Sequence, residues 1–371
     1  MRQIYMHIGM HKTGSTSIQI NLNGYDDGQT KYADLGYENH SIPFYTVFSG
    51  RHHNYNVWER AGLSADQVEN KKHECLARIK KSLGQDSHKN LIFSGEDILN
   101  IPETGLSELK LLLEQYSNDI KLFAYIREPI SYMQSNLQEL IHAGQNVPAP
   151  PPAEYYRFKS IIKVFGRENI TFRLFDKKHL LNGDVVDDFY NLINIKKNKH
   201  SRLNASLSTE VIKCLYKINN LVDPALDTKA FLPLKQSSRN HFLRLLRANF
   251  PGKFGVPDNY ILPYLDIDDW EWMQKTMGET VGPDYRNISV AQSSEKLSDF
   301  FETFTEDMLD RLEEILVQRE INTDFKRNPT NMIHRLYIDC VYENVQMQIN
   351  NKNQGVRSTG LLNLVRNKLE L

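Results

Sequence analysis

Cysteine is scarce: Cys75, Cys214 and Cys340 are the only ones in a chain of 371 residues. Three widely separated thiols make neither a disulfide framework nor a metal-ligand spacing, and they fit a reducing compartment. No window approaches the run of about eighteen apolar residues that a membrane span requires. The N-terminus, MRQIYMHIGMHKTG, lacks the apolar stretch of a signal peptide. An excess of one charge is missing too, since 45 Lys and Arg stand against 46 Asp and Glu. Global electrostatics therefore gives no reason to expect nucleic acid as a partner, and any anion site must be local. These absences lead us to expect a soluble, cytoplasmic protein. Peripheral membrane contact is left to the last stretch, Leu361–Leu371, a short basic amphipathic helix candidate better read as a surface or packing helix. Composition does not reveal the oligomeric state.

What is present is an alternation. Residues 2–8, 89–94, 121–126 and 169–175 are short apolar runs that read as strands. Helical spacing follows at 15–22, 106–116, 129–142, 153–165 and 179–193. Strands alternating with helices predict an α/β layer with a largely parallel sheet flanked by helices. Val147–Ala153 (VPAPPPA) is a rigid loop, because proline fixes φ and removes donors. Beyond about residue 205 the pattern turns to helices broken by Pro233, Pro251, Pro257 and Pro263. No solenoid-period repeat appears. The expected division is a core over residues 1–210 and a mostly helical C-terminal part over 211–371, packed on the core as a candidate lid for the acceptor.

The sharpest motif is Gly9-Met10-His11-Lys12-Thr13-Gly14-Ser15-Thr16-Ser17, after the first strand and opening a helix. Glycines let the backbone turn tightly, so successive N–H groups converge on an oxyanion at the positive end of the helix. Ser15, Thr16 and Ser17 add hydroxyl donors, with Thr16 expected to aim inward. In the nucleotide triphosphatase loop a lysine follows the second glycine; here Ser15 follows Gly14 and the lysine sits inside the loop at position 12. A bare glycine turn without a ligand is the blander alternative, and the lysine and hydroxyls weigh against it.

The stretch HIGMHKTGSTSIQ resembles the 5′-phosphosulfate loop of sulfotransferases that use PAPS (3′-phosphoadenosine-5′-phosphosulfate), above all their bacterial and carbohydrate branch. Tyr125-Ile126-Arg127-Glu128-Pro129, with Ser135 eight residues after Arg127, is similar to the family's 3′-phosphate motif. Arg127 offers a planar fork for phosphate; alone, it would read as a surface pair with Glu128 or another carboxylate. Phe165–Ile195 also looks like the family's late strand and helix, so the resemblance covers about residues 2–210. Asn204 and Ser206 are weak nucleotide candidates, Ser206 or Ser208 being better read as a helix N-cap.

The resemblance implies a P-loop-type fold and PAPS as co-substrate, with adenosine 3′,5′-bisphosphate as product and no metal. It assigns His11, Lys12, Thr13, Gly14, Ser15, Thr16, Ser17, Arg127 and Ser135 to the nucleotide, and gives Lys12 the leaving group as well. His7 and His11 themselves read as structural. The base is open between Glu96, just past the second apolar run, and the pair His52 and His53; the plainer alternatives are a capping carboxylate at Glu96 or Asp97 and solvated loop histidines. The acceptor it implies is a hydroxyl or amine of a carbohydrate or glycolipid, in a bacterial setting. Asn54–Trp58 and Asp268–Met273 could stack sugar rings or simply pack. The alternatives are a small-molecule kinase using ATP–Mg²⁺, which would want a lysine after Gly14, and a non-catalytic nucleotide- or glycan-binding module.

Overall fold

Strands apolar on successive residues must be buried on both faces, the condition of a parallel sheet covered by helices. The computed structural model describes residues 2–85, 87–197, 206–221, 232–288, 296–323 and 327–352. It contains one five-stranded sheet of β1 (Gln3–His7), β2 (Thr30–Tyr32), β3 (Asn90–Ser94), β4 (Asp119–Ile126) and β5 (Ile170–Leu174). The order is β2-β3-β1-β4-β5 and every pairing is parallel. His7 at the end of β1 stands opposite Ser94 of β3 and Phe123 of β4. The chain leaves β1 towards β3 on one side and reaches β4 on the other, so the carboxyl ends of β1 and β4 form the topological switch point.

The helices that follow are α1 (Ser15–Leu22), α2 (Ser41–Phe48), α3 (Asn56–Arg60), α4 (Ala65–Gln85), α5 (Glu103–Glu114), α6 (Pro129–His142), α7 (Phe158–Phe165) and α8 (Val185–Leu192). One face of the sheet carries Tyr5, Ile92, Phe123 and Tyr125, packed with Ile18 and Leu22 of α1 and Val185 and Phe189 of α8. On the other face Ile4, Met6, Leu91, Phe93, Leu122 and Ala124 are fully buried. Phe44 of α2 meets Phe93 edge-on at 5.4 Å, and Phe158 of α7 meets Phe172 at the same separation. The chain continues through α9 (Thr209–Asn219), α10 (Leu232–Asn249), α11 (Ile267–Met277), α12 (Leu297–Glu302), α13 (Glu306–Gln318) and α14 (Pro329–Lys352).

Two compact units emerge. The first takes Met1–Tyr132, Pro152–Asn204 and Asp266–Ile288; the second takes Met133–Pro151, Ala205–Leu265 and Ser289–Leu371. The sheet and α11 belong to the first. The described elements of the second are helical, with Phe242 of α10 edge-on to Tyr337 of α14 at 5.4 Å. Arg319 there pairs with Asp339 and Glu343, and Glu343 also accepts from His241.

Several elements differ from the sequence pattern. The run 153–165 is a 3-10 turn, Tyr155–Arg157, followed by α7, which Gly166 ends at φ 83°. The run 179–193 starts its α-helix only at Val185, because Asn182 and Gly183 take left-handed φ and the Asp184 carboxylate caps Val186 and Asp187. Pro233 opens α10 rather than breaking it, since a first-turn proline loses no helical bond. Asp268–Met273 lies in α11, and Trp270 in it packs rather than presenting a ring to solvent, being 1% exposed against Tyr155. Trp58 is likewise core, donating from Nε1 to Thr46 Oγ1 at 3.0 Å. Ser208 caps α9 through Val211 N. Asn204 and Leu361–Leu371 lie outside the described residues. No described helix is long and apolar enough to cross a membrane.

Candidate active site

β1 ends at His7 and α1 begins at Ser15, so residues 8–14 must reverse the chain at the switch point. Two glycines make that turn. Gly14, at φ 81°, occupies the left-handed region, and a Cβ there would stand 2.7 Å from Val185 Cγ1. Gly9, at φ 96°, lies so close to Glu96 that a Cβ would meet Glu96 Cβ at 3.0 Å. Lys12 also takes a left-handed φ, 63°. Thr13 is buried and donates its hydroxyl proton to Met10 O at 2.6 Å, which makes that side chain a brace for the loop. Ser15 is 5% exposed, and its Oγ has no hydrogen-bond partner among the described residues. Thr16, expected to point inward, is exposed; Ser15 holds the buried place at the start of α1.

Two cations gather at this turn. Arg127, at the end of β4, donates from Nη1 to Lys12 O at 2.8 Å and from Nε to Ser131 Oγ at 2.8 Å. Neither bond uses Nη2. Phe175 lies under the guanidinium at 5.6 Å, and Tyr155 holds the Arg127 carbonyl at 2.6 Å. Burial and the neighbouring Arg127 charge pull the Lys12 ammonium down to about 8, against an opposing pull from Glu96. Burial also lowers Arg127. Two partly desolvated cations beside the positive end of a helix form a site that an anion would relieve.

The serine in contact with Arg127 is Ser131, because Glu128 and Pro129 start α6 directly after the strand. The Glu128 carboxylate accepts from Ile130 N and Ser131 N, which places residue 131 in the first turn. Glu128 is thus a cap, and Arg127 does not form the surface pair that its neighbour would allow. Ser135 lies one turn further along α6, where the helix has passed into the second unit. A serine four residues after the strand-end arginine was a signal available in the sequence.

Glu96 follows β3 and is partly buried beside Gly9. Its oxygens accept from Gln19 Nε2 at 2.8 Å and Asn39 Nδ2 at 3.4 Å. Next to it Asp97 faces His11 Nε2 at 3.1 Å and accepts from Tyr55 Oη at 2.8 Å and Asn100 Nδ2 at 3.0 Å. Burial disfavours charge on His11, yet the Asp97 hydrogen bond and the Asp97 and Glu96 charges raise its imidazole overall. The same contacts hold the Asp97 carboxyl below its ordinary range despite burial. Gln19, Asn39, Tyr55, Asn100 and Ser131 were missed in the sequence because each comes from a separate turn or helix with no shared spacing.

His52 and His53 gather elsewhere. They sit on a 3-10 turn, His52–Asn54, and both face Glu69 of α4, at 2.8 and 3.7 Å. Glu96, rather than this pair, is the group brought to the loop. The sequence shows no metal cluster, but the fold assembles these three donors across the fifteen residues between His53 and Glu69.

No family model and no curated protein matches the chain. Among solved structures, a sulfotransferase from Alicyclobacillus acidocaldarius is similar at 13% identity and a TM-score of 0.36, covering 59% of this chain and 93% of its own. The chemistry therefore has to come from this chain's own residues.

Proposed function

We propose that this protein is a sulfotransferase that moves a sulfuryl group from PAPS to a hydroxyl or amine of a carbohydrate or glycolipid acceptor. The observation that carries the reading is the pair of partly desolvated cations, Lys12 and Arg127, with the Arg127 guanidinium donating to the Lys12 backbone carbonyl beside the start of α1. In this reading the loop N–H groups, Ser15 and Thr16 hold the 5′-phosphosulfate. Arg127, through Nη2, holds the 3′-phosphate, with Ser131 fixing the guanidinium. His11, Thr13, Gly14 and Ser17 complete the loop that touches the nucleotide.

The transfer is an in-line displacement. The acceptor oxygen forms a bond to sulfur while the bond from sulfur to the 5′-phosphate oxygen breaks, and its electron pair leaves with adenosine 3′,5′-bisphosphate. Lys12 stabilises the charge growing on that leaving oxygen. Glu96 takes the acceptor proton, held in place by Gln19 and Asn39. No step in this scheme calls for a metal. A bacterial, cytoplasmic setting belongs to the same proposal, and the buried free thiols of Cys75, Cys214 and Cys340 accord with it.

Calorimetric titration with adenosine 3′,5′-bisphosphate, beside ATP–Mg²⁺, tests the donor. Binding of the bisphosphate that weakens in Lys12→Ala and Arg127→Ala, with none for ATP–Mg²⁺, is the expected result. Preference for ATP–Mg²⁺ would replace the sulfotransferase by a kinase. Binding without transfer to any acceptor would leave a nucleotide-binding module.

A further inference from the structure

The turn that carries His52 and His53 lies against α4, and the two rings stand 4.2 Å apart. His52 is 6% exposed and holds its Nε2 2.8 Å from Glu69 Oε2. His53 Nε2 faces the same oxygen at 3.7 Å, too far for a hydrogen bond of its own. One turn along α4, His73 Nε2 approaches the other carboxylate oxygen at 3.8 Å. Three imidazoles therefore converge on a single carboxylate. A hydrogen bond satisfies only His52, whereas a cation between His52, His53 and Glu69 would take a lone pair from each of the three.

We infer that His52, His53 and Glu69 form a binding site for a borderline first-row divalent metal ion, zinc above all. Imidazole nitrogen with one carboxylate oxygen is a zinc donor set, and it disfavours calcium and magnesium, which want oxygen shells. The three donor atoms lie within 4.8 Å of one another. Bonds of zinc length bring tetrahedral donors to about 3.3 Å separation, so a modest contraction closes the site. The geometry allows it: His52 is fixed by burial, while His53 and Glu69 are 48% and 42% exposed and can rotate inward. Lys72 stands 3.8 Å from Glu69 Oε1 on a partly buried side chain that can turn away towards solvent. The alternative is a plain clamp in which the His52–Glu69 hydrogen bond pins the turn to α4.

The test is a titration of the full, chelator-stripped chain with cobalt(II), followed by displacement with zinc. The expected result is one equivalent of cobalt with the intense visible bands of tetrahedral coordination, lost on adding zinc. His53→Ala and Glu69→Gln should each weaken binding by at least about tenfold, with circular dichroism unchanged, and His179→Ala should leave it intact. No cobalt spectrum in the wild type, or equal affinity across all four proteins, would overturn the site. Because His53 is half exposed, its alanine variant stays informative even if Glu69→Gln fails to fold. The readout is independent of sulfuryl transfer, so either proposal can fail without the other.

Discussion

Two polar clusters in the first unit make opposite demands. At the β1–α1 turn, Lys12 and Arg127 are partly buried near each other, and burial lowers both. At the 52–54 turn, imidazoles and a carboxylate present lone pairs, half in solvent. In our proposals the first takes an anion and the second a cation. The chain's net charge of −1 shows neither, because sign is set by which side chains the fold desolvates together. His7 and His11 repeat the lesson at four residues' separation. Burial alone pushes His7 down to about 3, while Asp97 raises His11 in spite of burial.

The contrast can be sharpened first at Glu96, the carboxylate proposed as the base. Glu96→Gln should lower sulfuryl transfer from PAPS by about a hundredfold or more, with bisphosphate affinity kept within roughly threefold; lost affinity instead would make Glu96 a positioning group. Arg127→Ala should weaken bisphosphate binding by roughly tenfold to a hundredfold and leave cobalt binding untouched, whereas Glu69→Gln should do the reverse. If either variant harms both ligands, the clusters are not independent.

A smaller effect separates strain from contact. Gly14→Ala should cost roughly 2 kcal/mol in urea unfolding, since it combines a left-handed φ with the Val185 wall. Gly24→Ala, at φ 75° with nothing within 4 Å, should cost about half that. Equal losses would remove Val185 from the account.

The smallest effect is in pH. Lys12 is protonated below about 8 in the free protein, and an anion prefers that form. Bisphosphate affinity should therefore be flat between about pH 7, above the second phosphate ionisation, and pH 8, and fall by up to about tenfold per unit above it. Lys12→Ala should flatten the slope. A slope that survives in that variant would assign the proton to another group.

The strands and the loop were legible because parallel strands are apolar on both faces and glycines are needed where φ is positive, both properties of short contiguous segments. β2 and α4 were not. β2 has only three residues and pairs with β3 alone at the sheet edge. In α4 a single buried stripe of Val68, Cys75, Ile79 and Leu83 runs through an otherwise charged helix. At the site, Lys12, Arg127 and Glu96 could be named from local motifs, yet the choice of Ser131 as the contact of Arg127 depended on where Glu128 and Pro129 start α6.

By itself the sequence determined the alternation of strand and helix, the turn at Gly9–Gly14 and the positions of two candidate cations, because those depend on neighbours within a few residues. Only the tertiary structure decided that Lys12 meets Arg127 and that Asp97 meets His11. It alone brought His52, His53 and Glu69 onto one point. Such pairings join segments far apart in the chain, and burial, not spacing, sets their charge.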